Sequence, residues 1–175
     1  KETGGSDCIL LCEDTNKDGK ADKFTKWADG LSIPTGMVFA NGGMIISQAP
    51  HMVFLKDTDG DDKADERKIL FTGFGTGDTH AGPSNLHYGF DNWIWGCIGY
   101  SGFKGKVGAD SLQFAQAFFR FKPDGSKMEH MTTTSNNTWD LISMKREMCL
   151  VLRQTTHMVG TCLFHIATSG MPQCP

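Results

Sequence analysis

The stretch FLKDTDGDDKADERKILFTGF, residues 54–74, is a second copy of an earlier one, LLCEDTNKDGKADKFTKWADGL, residues 10–31. The copies lie 43 residues apart, measured from Asp14 to Asp57. A period of about 40–50 residues is the length of one four-stranded propeller blade. Helical solenoids share such periods, but neither copy shows the apolar spacing of a helix. The repeat therefore predicts an all-β fold, a partial β-propeller of about three blades.

Each repeat unit is predicted to contain two hairpins. Between the two copies, TGMVFANGGMIISQ (residues 35–48) places an Asn-Gly turn between two apolar runs, which is a strong hairpin signal. Further along, AFFRFK and SKMEHM flank the turn residues Pro123, Asp124 and Gly125 and predict another outer hairpin. Residues 101–116 are rich in glycine and lysine and long for a connection, so we expect a surface insertion there.

The tips of the two repeated hairpins are acidic loops that resemble calcium-binding loops. Oxygen-bearing side chains recur at the spacing that wraps calcium, with a glycine at Gly19. The twelfth loop position is Thr25 rather than a bidentate glutamate, which excludes a true EF-hand. The alternatives are a weaker calcium loop with a structural role and a solvated acidic turn. The candidate metal ligands are Asp14, Asn16, Asp18 and Asp22 in the first loop and Asp57, Asp59, Asp61 and Asp65 in the second.

A polar site is predicted in DTHAGPSNLHYGFDNWIWGCIGY, residues 78–100. His80 precedes a strand-like alternation and a turn, so it is the candidate acid–base group at the end of a loop. The alternative is a histidine that only hydrogen-bonds the loop backbone. Trp93 and Trp95 are expected to pack between blades rather than stack on a sugar. We interpret His51 and His87 as surface or hydrogen-bonded strand residues, because neither has metal-ligand spacing.

Composition narrows the range of functions. A net charge of −3 and the lack of a basic run give no reason to expect a nucleic-acid partner. The six cysteines form no CxxC pair, which argues against a zinc site or a c-type haem within this segment. Cys8 and Cys12 are expected to be buried, unpaired thiols. The chain starts at Lys1 without an initiator methionine, so we expect it to be a piece of a longer protein.

The composition changes at residue 140. Residues 140–175 hold three of the six cysteines and the helix-favouring run MKREMCLVLRQ. One interpretation is a C-terminal helix. The other is a shifted reading frame, because restoring one guanine after the Trp139 codon allows a sequence that opens with GFDF, the turn NEAGN, and VFGS. That sequence continues the hairpin rhythm, so residues 1–139 are predicted to be the propeller and residues 140–175 an out-of-frame tail with no family counterpart.

Three segments, DGKADKFTKWADGLSIPTGM, residues 54–96 and FRFKPDG, resemble the β-propeller region of membrane-bound dehydrogenase-like proteins of planctomycetes and verrucomicrobia. That region is similar in turn, more remotely, to soluble quinoprotein glucose and sorbosone dehydrogenases. The resemblance implies a six-bladed propeller in a periplasmic or envelope-associated protein. It also implies oxidation of a sugar or alcohol, with pyrroloquinoline quinone and Ca²⁺ as cofactors. Electrons would pass to a cytochrome c domain carrying c-type haem, which this segment lacks.

The resemblance also suggests site residues. The catalytic histidine of those enzymes lies in a pattern whose places are taken here by His80, Gly82, Leu86, Gly89 and Asp91. Such a histidine takes the hydroxyl proton of the substrate.

An Arg-Asn-Pro motif that holds the acidic cofactor corresponds to residues 136–138. Asn136 replaces the arginine and Asn137 keeps the amide, and with Asp78 these are the candidate cofactor-binding residues. The missing arginine counts against quinone binding. The alternative function is a non-catalytic, calcium-stiffened propeller that binds glycans or proteins. A basic side chain near His80 would favour the enzyme, and Arg120 is the only arginine between Arg67 and Arg146.

Overall fold

The computed structural model describes residues 5–134, 138–144, 148–155 and 158–165 of the chain. In those ranges the regular elements are β-strands and one short 3₁₀ turn. The strands are β1 (Asp7–Glu13), β2 (Lys23–Leu31), β3 (Gly36–Ala40), β4 (Gly43–Gln48), β5 (His51–Lys56), β6 (Glu66–Thr72), β7 (Pro83–Tyr88), β8 (Ile94–Ile98), β9 (Phe103–Val107), β10 (Asp110–Phe114), β11 (Ala117–Phe121), β12 (Met128–Thr133), β13 (Thr138–Met144), β14 (Met148–Thr155) and β15 (Met158–His165). The 3₁₀ turn η1 spans Thr79–Ala81. The predicted all-β fold is confirmed.

The first complete unit is a four-stranded antiparallel sheet in the order β3-β4-β5-β6, which we call the first blade. Its inner hairpin turns at Asn41 and Gly42, whose φ angles of 52° and 73° are those of a type I′ turn. Its outer hairpin, β5–β6, carries the second acidic loop. The prediction of an inner and an outer hairpin in each unit is therefore confirmed here.

The preceding hairpin, β1–β2, is a two-stranded sheet that carries the first acidic loop. By the sequence repeat it corresponds to β5–β6. Cys8 and Cys12 in β1 are free thiols, as expected. The prediction that both are buried is wrong, because Cys8 is only half-buried and Cys12 is exposed. In the described residues β1 pairs with β2 alone, which leaves one of its edges and much of its surface open.

The first blade is buried on both faces. Along β5, Met52 and Phe54 join one apolar cluster while Val53 and Leu55 join another. Successive side chains of a strand point to opposite faces, so this strand separates two cores. One core lies against the β1–β2 hairpin and the other against the next blade. A blade sandwiched between neighbours in this way is typical of a propeller.

The second blade has the strand order β7-β8-β11-β12, with the hairpin β9–β10 inserted between β8 and β11. The predicted outer hairpin at residues 117–131 is confirmed as β11–β12. The expected surface insertion at residues 101–116 is wrong. Those residues form an ordered hairpin whose Phe103 and Val107 are 2% and 1% exposed. The Phe103 ring packs edge-on against Phe74 with centroids 5.0 Å apart, so the insertion is part of the core.

The last described segments form a three-stranded antiparallel sheet in the order β13-β14-β15. The predicted C-terminal helix is therefore wrong. The run MCLVLRQT in β14 pairs with strands on both sides, and this pairing outweighs a modest helix propensity. Nothing in the strand pattern tests the reading-frame hypothesis, which stays a prediction.

The first strands of successive sheets come together. β3 lies at the edge of the first blade and β7 at the edge of the second, and the two are in contact. Thr35 Oγ1 and the buried Ser47 Oγ both donate to the carbonyl of Pro83, at 2.5 and 2.9 Å. β13 in turn contacts β7 and β8. The architecture is therefore a partial, propeller-like array in which β3, β7 and β13 are the inner strands.

Candidate functional site

The candidate site lies at the start of the inner strand β7. Asp78 caps the 3₁₀ turn Thr79–Ala81, its Oδ1 accepting the backbone N–H of His80 at 2.8 Å. Pro83 opens β7 two residues after the turn. A short capped turn followed by proline fixes the backbone path. His80 is therefore held just before β7, the strand that contacts β3 of the first blade.

Asp78 joins His80 to a third residue, Tyr100. Nδ1 of His80 lies 3.4 Å from Asp78 Oδ1, and the Tyr100 hydroxyl donates a short hydrogen bond to Asp78 Oδ2. The hydrogen bond from Tyr100, followed by that from the His80 N–H, lowers the pKa of Asp78. The same contact raises the pKa of Tyr100. Because the pKa of Asp78 is lower when folded, its stabilising contribution is full above its unfolded pKa of about 3.9 and is lost as the pH falls through the folded value.

The loop that carries Asp78 is fastened to the loop after β8. Ser101 Oγ donates to the carbonyl of Asp78 at 2.9 Å, and the N–H of Gly75 donates to the carbonyl of Gly102 at 3.0 Å. A Cβ on Gly75 would lie 2.1 Å from the carbonyl oxygen of Ser101. Only glycine permits this close approach. Tyr100 and Ser101 follow His80 by about 20 residues, so no local sequence pattern predicts that they contact Asp78.

A cavity of about 320 Å³ opens beside this arrangement. Residues from the loops before β3, β5 and β7 line it, namely Ser32, Ile33, Thr35, Ala49, Gly75, Thr76, Asp78, Thr79 and Gly82. Asp78 therefore lines the cavity, and its predicted role in cofactor binding stays a prediction. His80 follows the lining residue Thr79 and has a side chain that is 82% exposed. The lining includes hydroxyl groups and one carboxylate, but most of its exposed area is apolar.

The acidic loops contain matching hydrogen-bond networks. In the first, Asp14 accepts the N–H of Gly19 at 2.8 Å, and Asp22 accepts the N–H and hydroxyl of Thr15, both at 2.9 Å. Asn16 and Asp18 bond to each other across the tip at 3.2 Å. Each aspartate thus folds its own loop through backbone N–H groups, as in Asx turns.

In the second loop Asp57 accepts the N–H of Gly60 at 2.7 Å, and Asp65 binds Thr58 as Asp22 binds Thr15. The Gly60 N–H lowers the pKa of Asp57. Oxygens of Asp57, Asp59 and Asp61 lie within 4.8 Å of one another. Asp65 is turned to Thr58 instead. Three of the four predicted ligands are therefore brought together in this loop.

The remaining predicted residues have ordinary structural partners. Nδ1 of His51 lies 2.8 Å from Thr72 Oγ1, and Nδ1 of His87 lies 3.2 Å from the carbonyl of Asn85, so both are hydrogen-bonded strand residues as predicted. Trp95 packs with the Cys97 and Phe118 cluster of its own blade. Its predicted packing between blades stays a prediction.

Arg120 and Asp91 lie on the second blade and bind each other. Nη1 of Arg120 is 2.6 Å from Asp91 Oδ2, and its guanidinium carbon lies 4.7 Å from the Trp93 ring centroid. Asp91 also accepts the indole N–H of Trp95. Both charges are thus used within the blade, and Arg120 does not supply a cation to the cavity.

The quinone implied by the resemblance does not fit the described residues. A carboxylated quinone needs cationic partners. The residues lining the cavity include the carboxylate of Asp78 and neither lysine nor arginine. Asn136 and Asn137 lie outside the described residues, so their predicted contacts stay predictions.

A larger groove of about 820 Å³ runs between β1 and β3. Its lining is mostly apolar and includes Leu10, Trp27, Met37 and Phe39. Its titratable side chains are Asp57 and Tyr88, and neither has an acid–base partner there. This groove therefore lacks the chemistry found beside His80.

The fold and site define the class as a propeller-like β protein with a histidine–carboxylate pair in the loop before β7. A family described as a domain of unknown function, DUF7133, matches residues 1–169, and the chain belongs to this family. The matched range passes the boundary that the sequence analysis draws at residue 139. No curated protein and no solved structure matches the chain. Within the described ranges there is no helix with the length and hydrophobicity needed to cross a bilayer.

Proposed function

We propose that this chain is part of a propeller-type dehydrogenase that oxidises a sugar or alcohol, with His80 as the general base. The observation that supports this best is the Asp78–His80 pair, whose Asp78 lines a cavity beside the start of β7. The imidazole accepts the hydroxyl proton of the substrate. Loss of that proton favours departure of a hydride from the carbinol carbon, which becomes a carbonyl.

The hydride would pass to a two-electron organic acceptor of the class of quinones and redox dyes, which the rest of the protein or the assay would supply. No step is assigned to pyrroloquinoline quinone, because the cavity lining offers it no cation. A c-type haem domain as the final electron acceptor belongs to the same proposal and rests on the family resemblance. The periplasmic or envelope-associated location rests on that resemblance too.

Replacing His80 tests the proposal. The protein expressed from its complete gene is assayed for oxidation of sugars and alcohols with a dye acceptor, with added Ca²⁺ and quinone. His80→Asn is expected to lower kcat by about 10²–10⁴-fold, the usual contribution of a general base. His51→Asn, which removes the imidazole that contacts Thr72, should leave the rate unchanged. Equal rates for the wild type and His80→Asn, or no oxidation by either, would contradict the proposal.

A second function is favoured by the lack of a cationic residue in the cavity lining. The protein would then be a non-catalytic propeller that binds glycans or protein partners, with Ca²⁺ stiffening the acidic loops. In calorimetry, Ca²⁺ should raise Tm because an ion that binds only the folded state stabilises it. Asp59→Asn should reduce that rise by removing one ligand of the second loop, whereas Asp124→Asn, in the β11–β12 turn outside the three-aspartate cluster, should preserve it. A Tm independent of Ca²⁺ and EDTA would rule out the stiffening.

A further inference from the structure

His80 is an exposed imidazole whose Nδ1 faces a carboxylate. Its side chain is 82% exposed, so packing alone does not select its orientation or tautomer. Its Nδ1 lies 3.4 Å from Asp78 Oδ1. Neutral imidazole carries one N–H, and a carboxylate next to one nitrogen favours the proton on that nitrogen. The other nitrogen, Nε2, then carries the lone pair that can accept a proton.

Asp78 itself is immobilised by three contacts. Its Oδ1 accepts the N–H of His80 at 2.8 Å, and its Oδ2 accepts the Tyr100 hydroxyl. Its carbonyl accepts the Ser101 hydroxyl at 2.9 Å. The hydroxyl of Tyr100 also favours the ionised carboxylate, in agreement with the lowered pKa of Asp78. Charge-assisted hydrogen bonds of this kind are stronger than neutral ones.

We infer that Asp78 and Tyr100 are positioning residues that hold His80 as the Nδ1–H tautomer and so leave Nε2 as the proton acceptor. The role of Nε2 as a proton acceptor in catalysis rests on the proposed function. The preference for the Nδ1–H tautomer does not depend on it. It assigns Asp78 to His80 rather than to a bound cofactor. It also gives a role to Tyr100, which the sequence analysis did not select.

The test is the tautomer of His80, measured in the whole protein by ¹⁵N NMR of histidine-labelled samples above the titration range of imidazole. The wild type should show predominantly Nδ1–H at His80. Asp78→Asn keeps the capping oxygen and removes the charge, and Tyr100→Phe removes one hydroxyl. Each should lower the ratio of Nδ1–H to Nε2–H by about 2–10-fold, the equivalent of one hydrogen bond. The matched control is Tyr88→Phe, which alters the only other tyrosine and should change nothing.

The signals of His51 and His87 report whether each variant is folded. A wild-type His80 with predominantly Nε2–H would overturn the inference, and so would two folded variants with the wild-type ratio. The oxidation assay is read separately. If His80 shows the predicted tautomer but the protein oxidises no substrate, the proposed function fails and the positioning role stands. If His80→Asn abolishes oxidation but the wild-type tautomer is unbiased, the positioning role fails and the proposed function stands.

Discussion

At the residue scale, Arg120 is the most constrained charge in the described chain. Its Nη2 lies 2.6 Å from Glu129 Oε2, its Nη1 lies 2.6 Å from Asp91 Oδ2, and its side chain is 18% exposed. The guanidinium also covers Trp93 and Trp95, at 4.7 and 5.5 Å from their ring centroids. Removing one member of such a network leaves its partners charged and partly desolvated. Arg120 therefore stabilises the second blade.

Arg120→Ala should lower the free energy of unfolding by about 2–4 kcal/mol, because two enclosed carboxylates lose their partner. Lys127→Ala removes a cation that also binds Glu129, at 2.7 Å, but that lysine is half exposed. Its loss should cost less than about 1 kcal/mol. Urea denaturation at neutral pH measures both variants. Similar losses in the two would show that Arg120 is an ordinary surface charge.

The sequence could reveal Asp78 and His80 because a capping carboxylate and the group it orients are only two residues apart. It could not reveal Tyr100, which reaches Asp78 only when the end of β8 folds back beside η1. A tyrosine at a strand end has many ordinary roles. A residue that contacts a short motif can thus be predicted from the sequence only when it lies near that motif along the chain.

At the element scale, the two acidic loops have the same backbone shape despite different glycine positions. Lys17 and Gly19 have φ angles of 63° and 89° in the first loop, and Gly60 and Asp62 have 83° and 63° in the second. Both loops therefore use the left-handed region at two equivalent places. In each loop glycine occupies one of these two positions. The other is occupied by a residue with a side chain, for which the left-handed region is energetically unfavourable.

Lys17→Gly should raise the free energy of unfolding by about 0.5–1 kcal/mol, because relief of the left-handed strain exceeds the entropy cost of a glycine. Lys20→Gly is the control in the same loop, since Lys20 is not among the residues with positive φ. That change should lower the free energy of unfolding. Thermal and urea denaturation at constant Ca²⁺ give both values. A loss of stability in Lys17→Gly would contradict the shared loop shape.

The errors of sequence prediction at this scale have one physical cause. The β9–β10 hairpin looked like a polar insertion because glycines and lysines surround its few apolar residues. Phe103 nevertheless lies in the core and stacks on Phe114, with ring centroids 5.4 Å apart. The run in β14 favours a helix locally but pairs with β13 and β15. In both cases contacts between residues distant in sequence determine the structure. The local sequence pattern does not reveal such contacts.

At the scale of the whole molecule, the repeat predicted more than any single motif. A period of one blade, an Asn-Gly inner hairpin and an acidic outer hairpin were sufficient to predict successive antiparallel sheets. The alternating cores on the two faces of β5 follow from that arrangement. The place of His80 in the loop before β7 follows as well, because the turn residues at Gly82 and Pro83 directly precede that strand. The identity of the cofactor cannot be predicted from the repeat. Whether a lysine or arginine lines the cavity depends on residues that are distant in sequence.

The most direct test of this architecture is the nuclear Overhauser effect between β3 and β7 in the folded protein. A Cβ on Gly36 would lie 3.4 Å from the backbone nitrogen of Asn85, so an α proton of Gly36 and the amide proton of Asn85 are close. The account predicts a strong effect between these two protons, together with antiparallel patterns inside each blade. Helical patterns across residues 10–31 or 54–74, or no contact between Gly36 and Asn85, would contradict it.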